Sequence, residues 1–474
     1  MTTLSQAFTK AATDYGDKLA LVDGSGVRFS FAQLQSRAEV FAADWQAKGV
    51  KPGDRVLIAM GIGADLYAAL AAVWALGATV VLPEPAMGLA GVKAAVAATK
   101  PKFFCAAGPY RLIKWIVPGL WGAHLLTPVQ KSTAAPPDRI ADVSAVALIS
   151  FTSGTTGTPK AIPRTHAFLM AQWAAVGPLL DSAAEEVDLV TFPVFVLINL
   201  AAGRTSVLPN WKMSKLNALE PKALVYWINT NHCTRALVPP ALCDKLVGVG
   251  DRGTLRHIFT GGGPVFPDVL KALRGMGDVE ITAVYGSTEA EPIAHLEART
   301  ITKADHAAMA AGQGLLAGRP VKAVNVRIVD DEIQVAGDHV NKGYLDPTRD
   351  AETKVHDKDR IWHRTGDAGR CDDEGRLWLL GRTKDRVRQG KTWLYPFAIE
   401  TAARLWAGVD RAALVPINDQ PVLAIQGDPT NLNTWRTRAA SFGIKDVRHV
   451  ATIPLDRRHQ SKVDTNALAK QLQG

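Results

Sequence analysis

From Val56 to Leu82 the chain is almost continuously apolar, long enough to cross a bilayer as one helix, so how that stretch is broken constrains the fold strongly. Gly61, Gly63 and Asp65 interrupt it early and Gly77 interrupts it late, leaving VLIAM, DLYAALAAVWAL and TVVL. The pattern is strand, helix, strand, as in a buried parallel sheet, and argues against a membrane span. Arg55 to Met60, Thr79 to Leu82, Ala145 to Phe151, Leu189 to Phe192, Ala236 to Val238, His257 to Thr260 and Ile281 to Tyr285 each read as short buried strands. Amphipathic helices lie between most of them, which predicts an α/β fold of layered, mostly parallel sheets.

At 474 residues the chain exceeds what a single core supports. After Val324 the pattern shifts to short strands with Gly, Asp and Asn at the corners (VNVRIVDDEIQVAG, then RLWLLGR), which predicts a small barrel-like β subdomain over about 324–383. The strands AALVP and VLAIQG and the closing helices beyond Thr383 predict a small α+β lid. The expected organisation is therefore a large N-terminal domain, 1–383, and a small C-terminal domain, 384–474.

Several function classes drop out. The N-terminus lacks a basic flank, an apolar core and a small-residue cleavage site, so secretion is not expected. Cys105, Cys233, Cys243 and Cys371 lie far apart with no CxxC, indicating neither a disulfide framework nor a zinc site and fitting a reducing cytoplasm. The formal charge of +9 is dispersed rather than gathered into a stripe, so no nucleic-acid partner is expected; a nucleotide or an acidic acyl-carrier protein would suit it.

The chemistry concentrates in a few segments. SFTSGTTGTPKAI, Ser150 to Ile162, follows an apolar strand and gathers glycines, hydroxyls and one lysine. Glycines let amides face an anion, hydroxyls add donors and lysine adds a point charge: a phosphate cradle, though not a Walker A loop. Alone, such a run also reads as a polar loop. FTGGGPV, Phe259 to Val265, is a glycine turn after a strand, where backbone approaches a flat ligand closely. YGSTE, Tyr285 to Glu289, offers an aromatic face, two hydroxyls and a carboxylate, suited to a base, a phosphate and magnesium. HRTGD ends in Asp367, able to accept from both hydroxyls of a ribose, and GRTKD supplies Arg382 as a donor.

At these residues the chain resembles the adenylate-forming superfamily that contains acyl-CoA synthetases, luciferases and peptide-synthetase adenylation domains, with the motifs in family order from residue 150 to residue 462. The resemblance implies that Thr152, Ser153, Gly154, Thr155, Thr156, Gly157 and Lys160 hold the β- and γ-phosphates of ATP. Gly261, Gly262 and Gly263 would line the adenine and acyl pocket, Tyr285 with Gly286 and Ser287 would lie beside adenine, and Thr288 would bind the α-phosphate. Glu289 matches the magnesium ligand, Asp367 and Arg382 the ribose contacts, and Lys384 the hinge about which the C-terminal domain rotates between half-reactions. Lys462 matches the catalytic lysine. Attack of a carboxylate on the α-phosphorus brings two anions together, so the site must supply positive charge to the transition state, and Mg²⁺ and Lys462 are the expected sources.

The departures bear on what happens to the adenylate. Ala161 follows Lys160 where the family has glycine, and Val196 stands where many relatives carry histidine. GRTKDRVRQGKTWLYPFAIE has Lys391 in place of the second glycine of a pair and Ala398 in place of a glutamate. In thioester-forming relatives that glycine borders the pantetheine channel, so a lysine side chain is expected to narrow it. IPLDRRHQSKV places Pro454 eight residues before Lys462 and Ser461 directly before it. This wording is similar to the branch containing the β-lactone synthetases of olefin biosynthesis. The leading expectation is ATP- and Mg²⁺-dependent activation of a fatty or 3-hydroxy acid, followed by ring closure by the substrate's own hydroxyl at high effective molarity. The alternatives are transfer to the thiol of CoA or a carrier protein and, against the intact motif set, a non-catalytic nucleotide- or acyl-binding protein. Phe192, Val194, Phe195, Val196 and Leu197 read either as pocket lining or as core.

Overall fold

The computed structural model describes residues 2–84, 87–129, 142–152, 159–456 and 461–473. Its contacts divide the chain into two compact units, Met1–Lys212 with Thr230–Leu237 and Asp338–Lys354, and Met213–Asn229 with Val238–Gly337 and Val355–Gly474.

In the first unit the interrupted apolar stretch folds as strand Arg55–Ala59, helix Ala64–Ala75 and strand Thr79–Leu82, the two strands parallel with Val56 opposite Val80. Gly63 is the extended residue before the helix, and Asp65 in the first turn complements the helix dipole. The sheet runs His124–Leu126, Phe103–Ala106, Arg55–Ala59, Thr79–Leu82, Val146–Thr152, Lys160–Thr165, and only its last pair is antiparallel. Leu57, Val81, Phe104 and Ile149 on one face pack with Val92, Ala95 and Val96 of helix Gly88–Thr99. A second run of strands, Arg235–Val238, Val187–Val190, Thr205–Val207, Leu19–Val22 and Arg28–Ser30, is parallel except at its last pair. It buries an ion pair, Arg235 Nε to Asp188 Oδ1 at 2.7 Å, whose carboxylate also accepts from Asn199 Nδ2 at 2.8 Å. Such a buried pair is sustained by its extra hydrogen bonds.

In the second unit the strand order is Asn325–Val329, Glu332–Ala336, Arg360–Cys371, Leu377–Arg382, Leu315–Pro320, Ala290–Glu297, Glu280–Ser287, His257–Gly261. Only the last pair is parallel. The short strands expected after Val324 are all present, and one edge continues through Leu315–Pro320 into the strands that carry YGSTE and FTGGG. Beyond Thr383 come a hairpin, Val387–Gln389 with Thr392–Leu394, and a three-stranded sheet, Val409–Ile417, Gln420–Gly427 and Asp446–His449. Its side chains alternate: Ala412, Leu414, Leu423 and Ile425 join one core with Trp406 and Trp435, while Ala413, Val415, Val422 and Ala424 join another with Leu468 of helix Thr465–Gln473. This part is tied to the rest of its unit by Arg404 on Asp268, 2.5 and 3.0 Å, and by Arg411 on Asp244, 2.6 Å.

Among the described residues no helix is long and apolar enough to cross a membrane. All four cysteines are free, with Cys105, Cys233 and Cys243 buried.

Candidate active site

The first unit contributes the lysine of the hydroxyl- and glycine-rich loop. Thr152 and Lys160 face each other as the last register pair of two antiparallel strands. Ser153, Gly154, Thr155, Thr156 and Gly157 lie outside the described residues. Lys160 is buried; its Nζ lies 5.2 Å above the ring of Tyr344 and 3.9 Å from Glu352 Oε2. Lys354 Nζ is also 5.2 Å from that ring and donates to the Asn341 carbonyl. Tyr344 therefore faces two ammonium groups, an arrangement favoured by the ring quadrupole. Sequence reading singled out neither Tyr344 nor Glu352.

The second unit brings together most of the remaining candidates. Strand His257–Gly261 runs parallel to Glu280–Ser287 with Gly261 opposite Val284, and a β-carbon on Gly261 would stand 2.5 Å from the Val284 carbonyl oxygen. Gly262 takes φ +78°, the left-handed region open to glycine. A β-carbon on Gly263 would lie 2.5 Å from Ser461 Cβ, so glycine here lets the loop carrying Lys462 sit directly on the turn. Ser461 Oγ accepts from the Ala241 amide at 3.4 Å, at the start of helix Pro240–Val249.

Tyr285, Gly286 and Ser287 end the neighbouring strand, and Thr288 and Glu289 form the two-residue connection that closes between Ser287 and Ala290. Tyr285 Oη donates to Asp367 Oδ2 at 2.8 Å. Asp367 and Arg382 are register partners on adjacent strands, with Arg382 Nε 3.2 Å from Asp367 Oδ1. Arg382 Nη1 also donates to the Thr365 carbonyl, and the Thr365 hydroxyl accepts from the Asp367 amide, both at 3.0 Å. Burial and the neighbouring Asp367 carboxylate push the Tyr285 phenol well above its usual range, keeping it a neutral donor. The Asp367 charge, with smaller contributions from Tyr285 and Glu289, raises Arg382 further and keeps it cationic.

Lys384 is exposed on the turn Thr383–Asp385, beside a cavity of about 510 Å³ also lined by Arg327, Glu332, Arg364 and Arg386. Lys462 is positioned through its backbone. Asp456 Oδ1 accepts from the amides of Ser461 and Lys462 at 3.0 and 2.9 Å, and the Asp456 amide donates to the Lys462 carbonyl at 2.8 Å. Asp456 is thus a positioning residue that sequence reading passed over, legible only as an aspartate six residues before the lysine.

The departing residues are placed as follows. Lys391 is exposed in the two-residue turn after Gly390, φ +59°, at the tip of the hairpin that pairs Gln389 with Thr392. Ala161 and Ala398 are buried. Val196 is fully buried on helix Pro193–Ala201, where Leu197 is buried as well and Phe192, Val194 and Phe195 are partly so.

A family model described as AMP-binding enzyme matches residues 8–345. The olefin β-lactone synthetase of Xanthomonas campestris pv. campestris is 29% identical, covering 94% of this chain and 90% of its own length. The 2-succinylbenzoate–CoA ligase of Geobacillus kaustophilus is 26% identical over 89% of this chain and 86% of its own. Among solved structures, o-succinylbenzoate coenzyme A synthetase from Bacillus subtilis in complex with ATP and magnesium ion superimposes with a TM-score of 0.79 at 20% identity, covering 98% of both chains.

Proposed function

Because the chain belongs to the AMP-binding enzyme family, we infer that it activates a fatty or 3-hydroxy acid as acyl-AMP and, where that acid carries a 3-hydroxyl, closes the intermediate to a β-lactone. In the first step a carboxylate oxygen bonds to the α-phosphorus of ATP, and the bond from that phosphorus to the bridging oxygen breaks, releasing pyrophosphate. In the second the substrate's C3 hydroxyl bonds to the acyl carbon, the acyl–phosphate bond breaks, AMP departs and the hydroxyl proton goes to solvent. An internal nucleophile needs no second substrate and reacts at high effective molarity.

The observation that supports the first step most directly is the seating of the Ser461–Lys462 loop on Gly263, within the unit that also holds Tyr285, Asp367 and Arg382. On this reading the Lys462 ammonium stabilises charge on the acyl oxygen and the α-phosphate, acting only while its loop is docked. Asp367 receives the ribose hydroxyls: a carboxylate has about four lone-pair sites, and Tyr285 and Arg382 occupy one each. Thr288 binds the α-phosphate, Gly261–Gly263 and Tyr285 line the adenine, and Thr152 to Gly157 with Lys160 hold the outer phosphates. Rotation of the segment after Lys384 would follow adenylation, with 1–383 and 384–474 as the moving parts.

Glu289 suits magnesium, which takes one or two carboxylates and completes its shell with water and phosphate oxygens. Among the described residues no group of three or more His, Cys, Asp or Glu could hold a metal ion. When bound, magnesium supplies positive charge to the phosphate oxygens.

Similarity to an olefin β-lactone synthetase over 94% of the chain supports the lactone. A second reading, transfer to the thiol of CoA or of an acyl-carrier protein, is supported by the CoA ligase at 26% identity. Purified protein given ATP, Mg²⁺ and a series of 3-hydroxy acids is expected to release pyrophosphate and AMP and to yield a product lighter than the acid by one water, with or without CoA. A thioester formed only with CoA would decide for the second reading; no pyrophosphate from any acid would remove both. The free cysteines fit a cytoplasmic location.

A further inference from the structure

Between strands Phe103–Ala106 and His124–Leu126 the first unit carries three short turns, Gly108–Leu112, Ile113–Ile116 and Pro118–Leu120. Their inward face has a clear use: Val117, Leu120 and Ala123 belong to the core and Ile113 packs against it. Among the described residues their outward face has none in the fold. Trp115 is 71% exposed, Leu112 and Trp121 61% and Ile116 54%, with Tyr110 and Leu125 exposed nearby. Six of the thirteen exposed large hydrophobic side chains among the described residues thus fall within sixteen positions. Single exposed apolar residues are ordinary, but a cluster marks an interaction surface.

The cluster is held in place. Lys114 Nζ donates to the carbonyls of Leu120 and Trp121 at 3.1 Å each and to that of Ala123. The Trp121 indole N–H donates to the Trp115 carbonyl at 3.2 Å. Both indoles are therefore presented outward by a tied loop. Along the chain the charge here has one sign: from Pro85 to Pro137 there is no Asp or Glu, while Lys93, Lys100, Lys102, Arg111, Lys114 and Lys131 are basic. Lys102 is paired with Asp54 and Lys114 is spent on the loop, but Lys93, Lys100 and Arg111 are exposed. Helix Gly88–Thr99 brings Lys93 and Lys100 to the turns, since Gly119 packs on Val96.

We propose that this face docks the protein on an anionic lipid surface. Tryptophan is the side chain best suited to the boundary between headgroups and acyl chains, with leucine and isoleucine entering beside it. Exposed lysine and arginine without carboxylates are drawn to anionic headgroups, an attraction that salt screens. An acidic protein partner would satisfy the charge but does not call for two indoles and two aliphatic side chains standing in water. The docking does not depend on which acyl product the enzyme makes.

Flotation of the full-length protein with phosphatidylcholine vesicles, with and without phosphatidylglycerol, tests this. The protein is expected to float with the anionic vesicles, much less with the neutral ones, and to be released as salt is raised. The double variant W115S/W121S is expected to bind anionic vesicles about tenfold more weakly or less, while acid-dependent exchange of pyrophosphate into ATP, assayed without lipid, stays at the parent level and shows the variant folded. Absence of binding by the parent, or equal binding by the variant, would overturn the proposal. So would a lipid-free parent dimer that W115S/W121S converts to monomer, which would assign the face to a second copy of the chain.

Discussion

Lys462 owes its place to Asp456, whose single carboxylate oxygen takes two consecutive backbone amides and so fixes the direction in which the lysine leaves the loop. A side chain with four rotatable bonds gains from that fixing, because its ammonium then samples fewer positions around the reacting phosphorus. Lys462→Ala is expected to lower carboxylate-dependent exchange of labelled pyrophosphate into ATP by about a hundredfold or more, as loss of one transition-state charge does. ATP binding, measured by equilibrium dialysis, should be spared, and unchanged exchange would remove the lysine from the mechanism. Asp367 and Arg382 stand out in the sequence because HRTGD and GRTKD set each beside a glycine and a threonine, whereas Lys462 stands out only through the resemblance of HQSKVDTNAL to the family's lysine motif. Tyr344 and Glu352 do not, because their partner Lys160 is chosen by tertiary placement and no local pattern records it, while Asp456 shows only as an aspartate six residues before its lysine.

At the scale of elements, the contact between Gly263 and Ser461 joins a turn that follows a strand to a loop near the chain's end. The absence of a β-carbon at residue 263 makes that contact possible. Gly263→Ala places a methyl 2.5 Å from Ser461 Cβ, closer than real β-carbons come, so one of the two segments must shift. The expected result is a fall of about tenfold in acyl-AMP formation, with partial recovery in the double variant G263A/S461G, where the opposing side chain is gone. Rates for the four members of that cycle isolate the coupling, and strictly additive losses would mean that the contact does not matter to the reaction. The strands on either side of this site were legible as short apolar runs bounded by glycine. Helix Pro193–Ala201 was not: nine residues, all apolar but Asn199, carry no period that separates a buried helix from a buried strand, and the proline at its first position is a weak local sign. The seating of the Lys462 loop on Gly263 was equally silent, since a glycine run and a lysine motif each predict a site but not their mutual distance.

For the molecule as a whole, the division of its contacts into two compact units makes unfolding in more than one step the natural expectation, and one buried carboxyl ties the stability of the second unit to pH. Glu400 lies inside the packing of helix Pro396–Arg404 on strand Val409–Ile417, where Oε1 accepts from the Leu414 amide at 3.0 Å. Burial pushes its carboxyl up to about 7 from 4.5; the Leu414 amide and the Arg404 charge pull against that, and Asp385 adds to it. Because the folded state holds this proton more tightly than the unfolded chain, the contribution is fully present below about pH 4.5 and is lost as pH rises through about 7. A shift from 4.5 to about 7 corresponds to roughly 3 kcal/mol once the group is ionised in both states. Glu400→Gln retains an acceptor for Leu414 and never ionises. Calorimetry across pH is expected to show the variant's second-unit transition close to the parent's at acidic pH and several degrees above it in alkaline buffer. Hydrogen exchange at the amides of Val409–Ile417 would assign that transition to this sheet. A difference that does not change with pH would mean that Glu400 keeps one protonation state throughout, and that the pH response of the lid arises elsewhere.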